Sequence, residues 1–349
     1  MSTPKKYLFI ASLTYAYPIL RPIQRAIRER GGETAWFVDG PCDEYLRDDE
    51  RRLHSVAEVK AFDPTAVFTV ANSVYDFFPG IKVQVFHGYN IDKRPGRGDH
   101  FALKGFFDLY CTQGPSSTGR FEELARKHRY FRVVETGWPK LDNFFHDGPV
   151  GLPQNERPTI LYGSTFTRWI TSAPHLYDAI ERLIRSREWD WLLTLHPKSD
   201  PEIVARYKAL ADRYPNVRFA ADDDNMTLLR QADVMVCDSS SIIVEFMMLD
   251  KPVVTYRNTA PGPHLIDIDE ADRLEQAIET ALSRPPELME TIDAYCRTMD
   301  PHRDGHSAER VVEAVEWFLT NCKGRLPHKP LNLFRKYKMR KRLRYYRFS

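Results

Sequence analysis

Nothing in the 349-residue sequence approaches the roughly 20 consecutive apolar residues that a membrane-spanning helix needs. Cysteine is scarce and unpatterned: Cys42, Cys111, Cys237, Cys296 and Cys322 are odd in number and far apart. That spacing excludes a disulfide framework and a zinc cluster and suits a reducing compartment. No histidine stands in a His-x-Glu or Glu-x-x-His spacing, so no metal site is expected. The glycine spacing that brings a backbone against a dinucleotide is missing as well. The first strand-to-helix turn is Thr14-Tyr-Ala-Tyr-Pro18, which argues against a nicotinamide or flavin cofactor. The opening Met1-Ser-Thr-Pro-Lys-Lys runs into a strand-like stretch without a leader-type apolar region, and no repeat of solenoid or propeller period is visible. A cytoplasmic protein is expected.

One sign of charge is also absent locally. Residues 323–349 contain eleven Lys/Arg and no Asp/Glu, which leaves 39 basic against 48 acidic residues in the first 322. A mildly acidic body thus carries a strongly basic tail. Leu333, Phe334, Tyr337, Leu343, Tyr345, Tyr346 and Phe348 are interleaved with its cations. This pattern suits a segment on an anionic membrane surface, with Arg335, Lys336, Lys338, Arg340, Lys341 and Arg342 toward headgroups. The six tryptophans are scattered and form no stacking platform, so no nucleic acid is expected.

What is present is a strand–helix alternation that runs through both halves. Tyr7–Leu13, Thr34–Val38, Ala66–Val70, Lys82–Phe86, Asp108–Thr112 and Arg132–Glu135 read as strands, with helices at Ile19–Arg30 and Ser116–His128. Asp147 to Pro158, with two Gly and three Pro, reads as a linker. Strands Thr159–Tyr162, Trp191–Leu195, Val217–Ala220, Asp233–Cys237 and Val253–Tyr256 follow, and a last helix runs to about Leu319. The economical reading is α/β, with two Rossmann-like doubly wound parallel sheets in tandem. The expected divisions are residues 1–146, a linker at 147–158, a second domain at 159–303, a helix at 304–322 and the tail at 323–349.

The densest unit is Ala232–Tyr256: a buried strand, the turn Asp238-Ser239-Ser240-Ser241, a helix ended by Lys251-Pro252, and a further strand. A helix N-terminus at the carboxyl end of a strand presents free N–H groups, so with three hydroxyls it is a candidate phosphate or diphosphate site. Ligands of open α/β sheets lie at that edge. Two histidines fall there too. His87-Gly88 ends one strand and leads into a loop with Lys93, and His196-Pro197-Lys198 ends another. An imidazole titrates near neutral pH and suits proton transfer. Asp222-Asp223-Asp224 reads as a solvated loop, since successive carboxylates do not converge on a metal without a built turn.

In order, His87-Gly88, Gly137-Trp-Pro-Lys-Leu-Asp142, Ser164-Thr-Phe-Thr-Arg168, His196-Pro197, Ala232–Pro252 and Asp304-Gly-His-Ser-Ala-Glu-Arg310 resemble the motifs of the CDP-glycerol glycerophosphotransferases of teichoic-acid and capsule synthesis. The resemblance spans about residues 80–320. Ser239 stands where that family usually has Tyr, and Lys140 where it has Arg. The resemblance implies the glycosyltransferase-B fold, two domains facing a cleft, and a short, primase-like form. It also implies a CDP-linked polyol as donor, a lipid-linked or glycan acceptor, CMP as leaving group, no bound cofactor, and work at the inner face of the cell membrane. By the same resemblance His87 and His196 are catalytic. Gly88, Ser164, Thr165, Lys198, Asp238, Ser239, Ser240, Ser241, His306 and Arg310 then hold the donor, and Lys93 serves the acceptor. Two alternatives stay open: a transferase or epimerase acting on another nucleotide-sugar, and a catalytically silent membrane-associated partner.

Overall fold

The computed structural model describes residues 4–89, 100–146, 153, 155–196, 198–220 and 225–346. Lys93, Pro197, Asp222, Asp223, Asp224 and most of the linker lie outside the described residues. The chain forms two compact units, one of residues 4–89, 100–146 and 298–346, the other within 150–297. The first unit therefore takes the chain back at residue 298, so the last helix and the tail belong to it.

In the first unit the order is β1 (Lys6–Ala11), α1 (Ala16–Glu29), β2 (Glu33–Val38), α2 (Val56–Phe62), β3 (Ala66–Thr69), β4 (Ile81–Val85), β5 (Leu109–Thr112), α3 (Pro115–His128), β6 (Arg132–Glu135) and α4 (Pro139–Phe145). The second contains β7 (Thr159–Ser164), α5 (Ala173–Ser186), β8 (Asp190–Leu195), α6 (Pro201–Arg213), β9 (Val217–Phe219), α7 (Asn225–Gln231), β10 (Val234–Cys237), α8 (Ile242–Met247), β11 (Val253–Tyr256), β12 (Ile266–Ile268) and α9 (Leu274–Ser283). The chain then passes through α10 (Pro286–Met299) to α11 (Ser307–Asn321) and α12 (Leu333–Arg342).

Each unit has one six-stranded sheet, and every pairing is parallel. The first runs β2-β1-β3-β4-β5-β6 and reverses direction between β1 and β3. The second runs β12-β11-β10-β7-β8-β9, which in order of appearance is 3-2-1-4-5-6 read from β9, the dinucleotide-binding order, and reverses between β7 and β10. Strands buried on both faces are mostly apolar, and Tyr7–Ala11, Ala66–Thr69, Ile81–Val85 and Val234–Cys237 are buried along their whole length, with buried Lys82 and Gln84 hydrogen-bonded to the Phe78 carbonyl and to Asn72. Burying each Val, Ile or Phe contributes about 1.5–3 kcal/mol.

Helix α1 shows how the first unit closes. Its apolar stripe, Ala16, Ile19, Leu20, Ile23, Ala26 and Ile27, is buried. Pro22 has no N–H to offer the Pro18 carbonyl one turn back, and Asn143 of α4 donates to that oxygen instead at 3.0 Å. Helices α4 and α11 both pack on α1. In the second unit buried Lys251 donates to the carbonyls of Leu229, Arg230 and Ala232 at 2.7–2.8 Å, which satisfies the open end of α7. The Lys-Pro pair that the sequence offers as a helix stop is thus also a cap for a different helix.

Three elements differ from the sequence reading. Pro139 begins a helix, α4, which the sequence reading did not mark, because proline suits the first helical turn. Strand β12 has only three residues, too few for a periodic signal. The tail forms α12 and docks on the first unit, with Met339 and Leu343 against its apolar core and Tyr345 stacked on Phe77 at 4.7 Å.

Candidate active site

In the first unit the chain-reversal point gathers the loops after β1 and β3, and His87, two residues beyond β4, joins them. Its ring lies 5.8 Å from the ring of Tyr15, just past β1. The groups packed around the ring lower its pKa by desolvation, and the Val70 carbonyl, just past β3, opposes that shift. A neutral imidazole keeps a lone pair on one ring nitrogen. The side chain still reaches solvent, so it is accessible to a substrate.

The backbone behind His87 is fixed on both sides. Trp138 Nε1 donates to the Phe86 carbonyl at 2.8 Å, and the Tyr89 hydroxyl donates to Asp300 at 3.0 Å. Asp300 is fully buried and also accepts from the backbone N–H groups of Trp138 and His302, both at 2.9 Å. Burial raises its pKa to about 7. Gly88 is half-buried in this loop. Asp142, also buried, accepts from the N–H groups of Ser307 and Ala308 at 3.0 and 2.7 Å and so caps α11 from another helix; burial raises its pKa to about 6. Gly137 has φ +78°, and a Cβ there would fall 2.5 Å from the Ser307 hydroxyl. The segments Gly137–Asp142 and Asp304–Arg310, quoted separately as motifs, therefore meet to seat α11.

That seating occupies part of the expected donor set. Arg310 forms a two-pronged pair with Asp304 at the start of α11, and exposed His306 lies 3.6 Å from Glu309. Both stand in the first unit.

In the second unit the reversal point lies between β7 and β10, and the turns that follow these strands are built around Asp238. This buried carboxylate accepts from the Ser164 hydroxyl at 2.6 Å, the Thr165 N–H at 3.0 Å, and the Ser172 N–H and hydroxyl at 3.0 and 3.2 Å. Ser239 is buried and accepts from the Thr259 N–H at 2.9 Å. Asp238, Ser164, Thr165 and Ser239 thus brace the turns, while Ser240 and Ser241 remain half-exposed at the start of α8. That helix is shorter than its sequence suggests, six residues without a side-chain cap, because the chain turns at Met248–Asp250 before Lys251. The hydroxyl of Thr167, in the same loop as Thr165, is buried without a hydrogen-bond partner. No sequence signal singled it out; a buried orphan hydroxyl fits a loop that awaits a ligand.

His196 ends β8, exposed, with its ring 4.3 Å from that of Phe166. Its Nδ1 accepts from the Lys198 N–H at 3.0 Å, so Nε2 carries the proton of the neutral ring and is a donor. The Lys198 ammonium sits 5.8 Å from the Phe166 ring centre. A donor imidazole and an ammonium at the carboxyl edge suit phosphate oxygens. No group of three or more His, Cys, Asp or Glu arranged for a metal occurs among the described residues.

Two doubly wound parallel-sheet domains in one chain are the glycosyltransferase-B fold, and ligands of such sheets lie at their reversal points. A family profile, CDP-glycerol:poly(glycerophosphate) glycerophosphotransferase, matches residues 106–317. The chain belongs to that family. It is 21% identical to the teichoic acid ribitol-phosphate primase of Bacillus spizizenii, over 69% of this chain and 70% of the relative. Its fold is similar to that of the wall teichoic acid polymerase TagF soaked with CDPG, with TM-score 0.64, 15% identity and coverage of 92% and 90%. It is equally similar to a putative UDP-N-acetylglucosamine 2-epimerase of Listeria monocytogenes, with TM-score 0.64, 15% identity and coverage of 91% and 97%.

Proposed function

We propose that the chain transfers a polyol phosphate, glycerol or ribitol, from its CDP derivative to an acceptor hydroxyl in cell-surface polymer synthesis. The acceptor oxygen attacks the β-phosphorus, the bond to the CMP oxygen breaks, and a phosphodiester forms. His87 takes the proton of the attacking hydroxyl. Its lowered pKa keeps the imidazole neutral at pH 7, as a base requires. His196 Nε2–H and Lys198 hold the phosphate oxygens and the charge that builds on departing CMP. Ser240, Ser241 and Thr167 receive the diphosphate where the second sheet reverses. The observation that carries this reading is His87 at the reversal point of the first sheet, its ring 5.8 Å from that of Tyr15 and its pKa lowered by desolvation.

The acceptor is lipid-linked or a glycan, and α12 brings the enzyme to an anionic membrane. No described helix is long and apolar enough to cross a bilayer. Of eleven exposed large apolar side chains among the described residues, Leu331, Leu333, Phe334, Tyr337 and Tyr346 fall in this one segment. Arg335, Lys336, Lys338 and Lys341 remain for headgroups. Arg340 turns inward to Asp76 at 2.6 Å, and Arg342 pairs with Asp39 at 3.3 Å.

Purified protein offered CDP-glycerol, CDP-ribitol and UDP-N-acetylglucosamine in turn, with a glycan-lipid acceptor, is expected to release CMP from one CDP-polyol and to leave the UDP-sugar intact. Turnover of the UDP-sugar alone would favour the epimerase-like alternative that shares this fold.

A further inference from the structure

A cavity of about 490 Å³ opens at the amino edge of the first sheet. It is bounded by Ile81 at the start of β4, Asp108 just before β5, Tyr130 just before β6, and the connection from α11 to α12. The five residues of β4 span about 17 Å, and His87 lies beyond their other end, so this cavity is not where the proposed base acts. Its volume falls within the usual range for small-ligand sites.

Its lining has two chemistries. Ile81, Phe318, Leu326, Pro327 and Leu331 make apolar walls, while Lys323, His328, Lys329 and Lys336 are basic. Lys329 is already neutralised by Asp108 at 2.6 Å and donates to the Phe106 carbonyl at 2.8 Å. Among the described residues Lys323 and Lys336 form no ion pair or side-chain hydrogen bond, and exposed His328 adds a third charge when protonated. A pocket with two unpaired ammonium groups calls for an anion. The chain leaving it is equally informative, because Leu331, Leu333 and Phe334 are 76%, 67% and 87% exposed. An anionic head with an apolar remainder fits both parts.

We propose that this cavity is a headgroup site for an anionic phospholipid. The phosphate sits between Lys323 and Lys336, and the acyl chains run along Leu331, Leu333 and Phe334. The proposal rests on the membrane reading of α12 and narrows it to one headgroup and one place, at the edge of the sheet opposite the reaction. The lipid held there is an anchor and not the acceptor.

The test uses the full chain and a lipid too short to form bilayers. Dihexanoyl-phosphatidylglycerol below its micelle concentration is titrated by calorimetry, beside dihexanoyl-phosphatidylcholine and inorganic phosphate. Saturable binding of the anionic lipid alone is expected, at least tenfold weaker in Lys323→Glu/Lys336→Glu and several-fold weaker in Leu331→Ser. All three side chains reach solvent, so the variants are expected to keep the parent melting temperature, and the Ser variant tests the site without a charge change. Sedimentation with phosphatidylglycerol vesicles runs in parallel. Vesicle binding without saturable binding of the short lipid overturns the pocket and leaves the membrane reading standing. Saturable short-lipid binding lost in the lysine variant, in a chain that ignores vesicles, supports the pocket and removes membrane docking. Inorganic phosphate bound as tightly as the lipid overturns the lipid assignment.

Discussion

Asp238 and Asp300 hold equivalent places in the two units, each a fully buried carboxylate behind a loop at the carboxyl edge of its sheet. Their surroundings differ. Asp238 collects donors from one short stretch, Ser164 to Ser172, and so fastens the loop after β7 to the turn after β10. Asp300 collects donors from two distant places, Tyr89 and Trp138, and from His302 two residues on, and fastens the His87 loop to the returning C-terminal segment. The scaffold of the second unit therefore joins two turns of one sheet, whereas the scaffold behind the proposed base draws on segments from Tyr89 to His302. The same contrast holds for the histidines, since the ring of His87 lies against Tyr15, beyond another strand end, whereas His196 is oriented by Lys198, two residues away.

The largest expected effect separates those histidines. His87→Ala should lower turnover by about 100-fold or more and leave the dissociation constant for CDP-polyol nearly unchanged, because a base acts on the acceptor in the transition state. The parent rate should rise with pH through a midpoint below the usual imidazole value, since burial lowers the His87 pKa, and the rise should vanish in the variant. His196→Ala should weaken donor binding together with turnover. A folded His87→Ala enzyme working at the parental rate would remove His87 from the chemistry.

Stability of the two carboxylate scaffolds gives the next contrast. Asp238→Asn places an amide N–H₂ against donors and should destabilise the second unit by about 1–3 kcal/mol. Asp300→Asn should show itself in pH dependence. The raised pKa of Asp300 means that its contribution is fully present below about pH 4, the unfolded carboxylate value, and is lost as pH rises through about 7. Denaturant unfolding at pH 5 and pH 8 should thus show the parent weaker at pH 8, with a smaller loss in Asp300→Asn. Asp142, raised to about 6, adds a remaining slope of the same sign. An unchanged pH slope in the variant would show that Asp300 does not titrate as its burial requires.

Much of this was legible in the chain. The β10–α8–β11 segment could be read because its apolar runs and its Lys-Pro stop are contiguous, and both histidines were placed at strand ends for the same reason. Asp300 could not be read, since Tyr89 stands 211 residues away and Trp138 stands 162 away. Neither spacing has a local period. Arg340 was grouped with the exposed cations because composition does not reveal Asp76, 264 residues earlier. The serines after Asp238 read as three equal hydroxyls, yet only tertiary structure tells Ser239, spent on Thr259, from Ser240 and Ser241.

The smallest expected effect tests whether the scaffold behind the base matters beyond holding the fold. Tyr89→Phe removes one hydroxyl from the Asp300 cluster and leaves the ring 5.0 Å from that of Trp138. Turnover should fall by about 3–10-fold with donor affinity intact, consistent with the loss of one hydrogen bond of roughly 1 kcal/mol to the loop. A parental rate would mean that Trp138 Nε1 on the Phe86 carbonyl is enough to place His87.

The return of residues 298–346 to the first unit also sets an order of events on the ribosome. The strands of the second unit emerge as one uninterrupted stretch and can pack while the first unit is still waiting for its last helices. Until α11 arrives, α1 lacks one of its two packing helices and Asp142 lacks the two backbone donors that hold it. A nascent chain stopped just short of residue 298 would therefore carry a complete second unit and an unfinished first one with exposed apolar surface. The apolar face of α1 that α11 covers in the finished protein would stay open to chaperones and proteases until then.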